Sequence, residues 1–88
     1  MKVWKYDLPW GDIVTLALPI GARVLSVEPQ GASAALKLWA LVDPNADPEL
    51  RRFRLAGTGH EITDNVSHIS TFQLQDGQIV FHVFEILP

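Results

Sequence analysis

The sequence has no cysteine among its 88 residues and a single methionine. The first absence excludes disulfide stapling, thiol catalysis and cysteine-ligated zinc, and it matches the usage of a reducing compartment. Positive charge is sparse as well: seven Lys and Arg against ten Asp and Glu leave a net charge of −3. Duplex nucleic acid needs a broad basic face to neutralise many phosphates, so this balance argues against it as a partner. A small anion needs far fewer cations. No apolar run approaches the ~20 residues of a membrane-spanning helix, and Met1-Lys2-Val3-Trp4-Lys5 lacks the apolar stretch of a signal peptide. These absences lead to the expectation of a cytoplasmic protein with no membrane partner. A sustained helical period is missing too, which leaves β structure as the framework.

What is present is a series of short runs rich in Val, Ile, Leu and aromatics, separated by turn residues at the spacing of a small antiparallel sandwich or barrel. Strands are expected near 2–7, 12–18, 22–29, 34–43, 50–56, 67–75 and 78–86, in one all-β domain over residues 1–88. The separators Pro9-Trp10-Gly11, Pro19-Ile20-Gly21, Pro29-Gln30-Gly31, Asp43-Pro44-Asn45 and Gln75-Asp76-Gly77 supply residues that fix φ near −65° or tolerate positive φ. Asp76-Gly77 is the clearest hairpin signal. The run Ile79-Val80-Phe81-His82-Val83-Phe84 is apolar on both faces and reads as a central strand. Alternation elsewhere places Val14, Leu16 and Leu18 on one face, Leu25 and Val27 together, and Phe53 and Leu55 opposite Arg52 and Arg54. Helix is limited to one short turn at Pro48-Glu49-Leu50-Arg51-Arg52, with Asp47 as N-cap, and a second beginning at Thr63-Asp64-Asn65. So small a core, with sheet edges to protect, favours a homo-oligomer.

The candidate site lies between Trp39 and His60. Arg51, Arg52 and Arg54 gather nearly half of the positive charge just ahead of Gly57-Thr58-Gly59-His60. Guanidinium forks, loop N–H groups, the Thr58 hydroxyl and the His60 ring are the donors that an anion would use. The plainer reading of the same residues is a solvated strand face entering a tight connection, with the glycines present for backbone conformation. The tetrad is no P-loop, because the longer glycine spacing and the Lys-Ser/Thr pair are missing.

Other constellations carry less. His60, His68 and His82 with Glu61, Asp64 and Glu85 are the residue types of a two-His, one-carboxylate metal site, but nothing fixes their spacing, and no metal or cofactor is expected. His82, inside an apolar strand, reads as a hydrogen-bonded core or pocket-lining residue. Ser67, Ser70 and Thr71 lie near His68, yet neighbours along a strand alternate between faces and no nucleophile-elbow glycines are present, so no catalytic residue is assigned. Trp39 is expected in the core. Trp10, between Pro9 and Gly11, suits a core lid and a contact surface equally.

Taken together, Trp4-Lys5-Tyr6, Pro19-x-Gly21-Ala22-x-x-Leu25-x-Val27, Leu38-Trp39-Ala40-Leu41-Val42-Asp43-Pro44, Arg52-Phe53-Arg54, Gly57-Thr58-Gly59-His60, Thr71-Phe72-Gln73 and Val80-Phe81-His82-Val83-Phe84-Glu85 resemble a family of small, uncharacterised phage and prophage proteins. The resemblance implies a short protein made in the cytoplasm of an infected bacterium, and a non-enzymatic accessory role. Proteins of that kind often bind a host protein or a defence complex, and some β-rich ones sequester nucleotide messengers. The expectation is an accessory protein that counters host antiviral defence by sequestering an anionic nucleotide signal. Its ligand contacts would be Arg52, Arg54 and His60 on phosphate, Thr58 and Gly59 through loop hydrogen bonds, and Trp10 or Trp39 stacking on a base. The alternative is a protein-interaction module, either an inhibitor docking on a host effector or a minor virion component, marked by an exposed apolar patch or an open edge strand.

Overall fold

Turn chemistry divides the chain much as its sequence suggests, and the computed structural model describes all residues from 1 to 88. Seven strands result: β1 (Lys2–Leu8), β2 (Ile13–Pro19), β3 (Arg23–Gln30), β4 (Ala35–Val42), β5 (Pro48–Gly57), β6 (Val66–Leu74) and β7 (Ile79–Ile86). All pair antiparallel, in a three-stranded sheet A ordered β1-β4-β3 and a four-stranded sheet B ordered β2-β5-β7-β6. The molecule is 16 Å across its shortest axis, room for two layers about 10 Å apart. It is therefore an open two-sheet sandwich and not a closed barrel.

Strict alternation along β4 builds the first layer. Leu36, Leu38, Ala40 and Val42 are buried, while Ala35, Lys37, Trp39 and Leu41 form the other face. Facing them from sheet B are Val14, Leu18, Phe53, Leu55, Phe72 and Val83. As expected, β7 is interior, between β5 and β6. The β6–β7 turn accepts positive φ at Gln75, Asp76 and Gly77, with Gly77 N–H donating to Leu74 C=O at 3.2 Å. At one side the two sheets are joined directly: the buried Ser70 hydroxyl of β6 accepts the Val27 N–H of β3 at 2.9 Å.

Three expectations fail. The helical turn at Pro48–Arg52 is the first half of β5, because pairing with β2 from Pro19 to Thr15 outweighs a local N-cap, and Pro48 is tolerated as a first strand residue. No helix forms at Thr63–Asn65 either, and the chain contains no helix long and apolar enough to cross a membrane. Leu25 and Val27 do not share a face. A β-bulge between Val24 and Ser26 shifts the alternation, so Val24 and Val27 turn inward and Leu25 is 45 % exposed.

Candidate functional site

On β5 the alternation is as read: Phe53 and Leu55 are buried, and Arg52 and Arg54 lie on the outer face of sheet B. Arg51 lies on the inner face at the end of the sandwich. Its Nε and Nη2 donate to the Glu85 carboxylate at 2.6 and 2.7 Å, and Nη1 donates to the Ala22 carbonyl. Glu85 holds this guanidinium charged above its ordinary range. Arg54 is engaged as well. Its guanidinium donates to the carbonyls of Asp12 (3.3 Å), Leu55 (3.2 Å) and Glu61 (3.2 Å), with the Asp12 carboxylate at 3.6 Å. It ties the start of β2 to the loop after β5. Arg52 alone has no partner.

The glycine loop is occupied by its own side chain. His60 Nδ1 accepts the Gly57 N–H at 3.2 Å, and the His60 N–H donates to the Gly57 carbonyl at 3.1 Å. A Cβ at position 57 would come within 3.2 Å of the His60 ring, so glycine is what lets the imidazole fold back. Thr58 turns elsewhere: its Oγ1 lies 2.8 Å from His82 Nε2. Gly59 takes φ of +91° and closes the turn.

The tryptophans lie apart from these residues and from each other. Trp10 covers one end of the core, edge-on to Phe81 at 5.0 Å and Phe72 at 6.2 Å, with its indole N–H donating to the Ala34 carbonyl at 3.3 Å. It is 44 % exposed and lines a groove of about 320 Å³ with Leu8, Pro9 and the Asp7–Lys37 ion pair. Trp39 is not in the core. Register places it on the outer face of sheet A, between Lys5 of β1 and Ser26 of β3. The seven expected contact residues are thus distributed over the outer face of sheet B, the loop after β5, the β1–β2 loop and the outer face of sheet A.

A second cavity of about 320 Å³ is lined by Glu49, Leu50, Arg51, Arg52 and Glu85. Its two acids balance its two arginines, and Arg51 and Glu85 already satisfy one another. Such a lining offers little to a phosphate.

Two arrangements escaped the sequence reading. The first is a polar chain on the outer face of sheet B. Thr58 Oγ1, His82, Thr71 Oγ1 and His68 Nε2 follow one another at 2.8, 2.9 and 2.9 Å, with the His68 ring edge-on to Phe84 at 5.4 Å. His68 and Thr71 share a face because of a second bulge between His68 and Ser70. His82 is accordingly an outer-face residue bonded through both ring nitrogens, not a core one. No three of the His, Asp and Glu side chains converge, and neither cavity contains a member of this chain. Its chemistry is that of a cross-strand fastening between β6, β7 and the loop after β5.

The second is apolar. On the outer face of sheet A, Val3 pairs with Leu41, and Trp39 follows Leu41 on the same side of β4. Leu25 stands out at the bulge beside them, and no strand covers this face. Lys5 and Arg23 adjoin the apolar residues, while Asp7, Lys37 and Glu28 form the next row, with Asp7 and Lys37 paired. Lys37 holds the Asp7 carboxyl below its ordinary range, first through the hydrogen bond and then through its charge. The signal for this surface was in the sequence. Leu38-Trp39-Ala40-Leu41-Val42 is apolar at both parities, so one parity had to face away from the core.

No curated protein and no solved structure matches the chain. Over residues 1–87 it matches the family described as a domain of unknown function (DUF7352), and it belongs to that family.

Proposed function

We propose that this protein is a non-catalytic interaction module that binds a protein partner through the outer face of sheet A. The observation that carries this reading is the cluster of Val3, Leu25, Trp39 and Leu41 that no strand covers, with Val3 56 % and Leu25 45 % exposed and Trp39 and Leu41 half-buried between them. Contiguous exposed apolar side chains around an aromatic residue are the usual anchor of a protein interface. Lys5 and Arg23 at its margin suit a partner with an apolar centre and an acidic rim. The resemblance to phage and prophage proteins supplies the setting. The partner we infer is a host protein, and the role is to counter an antiviral defence by occupying it.

Sequestration of a nucleotide signal is the weaker reading, because Arg51 and Arg54 are engaged within the fold and no basic concavity forms around Arg52. The test is recovery of a stoichiometric partner from bacterial lysate by the wild-type chain and by Trp39→Ala, both checked for native circular dichroism. Loss of about 2 kcal/mol or more of binding on removing Trp39 is expected for an anchor at the centre of an interface. Retention of the partner by Trp39→Ala would overturn this assignment. So would a thermal shift with cyclic nucleotides or ADP-ribose that Arg52→Ala abolishes.

A further inference from the structure

The edge strand β2 leaves one side of its backbone open. The β2–β5 ladder is bracketed by two hydrogen bonds, Ile20 N–H to Asp47 C=O at 2.8 Å and Leu55 N–H to Asp12 C=O at 3.0 Å. Hydrogen-bonded and non-bonded pairs alternate along an antiparallel ladder, so Val14, Leu16 and Leu18 direct their backbone groups to β5. Ile13, Thr15 and Ala17 direct theirs away, and β2 has no other strand beside it. Six backbone donors and acceptors therefore line this edge. Pro19 ends the row, lacking an N–H and giving its carbonyl to Ala22 N–H at 3.0 Å.

Other edges carry the features that block pairing. β1 has Lys2, Lys5 and Asp7; β3 has Arg23, Glu28, Pro29 and a bulge; β6 has a bulge and faces β3 across the sandwich. β2, Ile-Val-Thr-Leu-Ala-Leu-Pro, has no charge, no bulge and no proline before its last residue. An uncharged, regular edge of this length is a template for another strand. Sheet A has three strands and sheet B four, with β3 seated on β6 and β2 at the opposite edge of sheet B. On the side away from β3 and β6 the apolar layer is partly open: Trp4, on the inward face of β1, is 39 % exposed.

We propose that two copies join β2 to β2 antiparallel about a two-fold axis through Thr15, forming one eight-stranded sheet. The register follows from the free groups. Thr15 opposite Thr15 of the second copy, with Ile13 opposite Ala17 on either side, pairs all six groups of each strand. A register shifted one way sets Ile13 opposite Pro19, which offers no donor, and shifted the other way sets Ala17 opposite Gly11, outside the strand. In this register small Ala17 meets larger Ile13, the two threonines meet at the axis, and Val14 meets Leu16 on the inward face, continuing the core. The axis stands perpendicular to the sheet. Both copies of sheet A then lie on one side of the dimer, presenting their outer faces in the same direction.

The test combines the mass in solution of the full chain, by light scattering across a concentration series, with amide hydrogen exchange. A particle of twice the 9.8 kDa chain mass is expected, with concentration-dependent protection of the Ile13, Thr15 and Ala17 amides. Thr15→Pro removes a donor only from the free edge, which the β2–β5 ladder does not use, and should give a folded monomer with those amides exposed. A wild-type monomer up to its solubility limit would overturn the proposal. A dimer that survives Thr15→Pro would do so as well. Should Thr15→Pro fail to fold, exchange on the wild type decides alone: unprotected amides at 13, 15 and 17 in a dimer reject this interface.

Discussion

Tyr6 is the residue at which burial and satisfaction disagree. Register with Leu38 turns its ring inward, where it packs on the core, and its hydroxyl oxygen is buried without a hydrogen-bond partner. Burial raises the phenol pKa above its ordinary value of 10.0. The sign follows from linkage. Below pH 10 both folded and unfolded chains keep the proton; above it the unfolded chain releases it more readily, so stability is lost as pH rises through the raised native value. Tyr6→Phe removes the unpaired hydroxyl without opening a cavity. We expect it to leave stability at pH 7 unchanged or to raise it by up to about 1 kcal/mol, and to flatten the alkaline loss. Urea unfolding between pH 7 and 11 measures both effects, and a variant that is less stable at pH 7 would show that the hydroxyl is satisfied. Arg51 shows the opposite economy at the same scale, since its charge and that of Glu85 are each 18 % exposed at the side chain and answered by a two-point contact.

At the scale of elements, the join between β3 and β6 depends on one side chain. Ser70 is buried, and its hydroxyl is the acceptor for Val27 N–H across the two sheets. Ser70→Ala leaves that donor in an apolar corner, and we expect a loss of about 1–3 kcal/mol in urea unfolding. Ser70→Thr, which keeps the acceptor, should recover part of it. Ser70 also explains how far strand patterns could be read. Seven strands and the two faces of β5 followed from period-two alternation and turn residues, and the central place of β7 from a run apolar on both faces. The bulges at Leu25 and Ile69 did not, because an extra residue in a strand leaves no compositional mark yet reverses the parity of everything beyond it. That reversal exposed Leu25 and brought His68 beside Thr71. The partners of the arginine cluster were hidden for another reason: a sequence counts charges but does not show that Glu85 and four backbone carbonyls answer two of them.

For the whole molecule the governing fact is that a three-stranded sheet covers a four-stranded one, in a chain short enough for its core to have little surplus. The polypeptide has no disulfide to compensate, and the fold has β2 as its one unprotected edge. Pairing that edge in a second copy would extend the core across the axis and couple folding to association. Anything that binds the native state but not the unfolded chain raises apparent stability by mass action, and a second protomer is such a ligand. The thermal midpoint of the wild type should therefore rise with protein concentration, whereas that of Thr15→Pro should stay constant. Differential scanning calorimetry over a hundredfold concentration range separates the two. A concentration-independent wild-type midpoint would mean that the sandwich stands alone, with Trp4 and Ile13 as ordinary surface residues. A rising midpoint that Thr15→Pro abolishes would tie stability to this edge, and would make the two outer faces of sheet A a bivalent surface whose avidity for a symmetric or repeated partner exceeds that of either face.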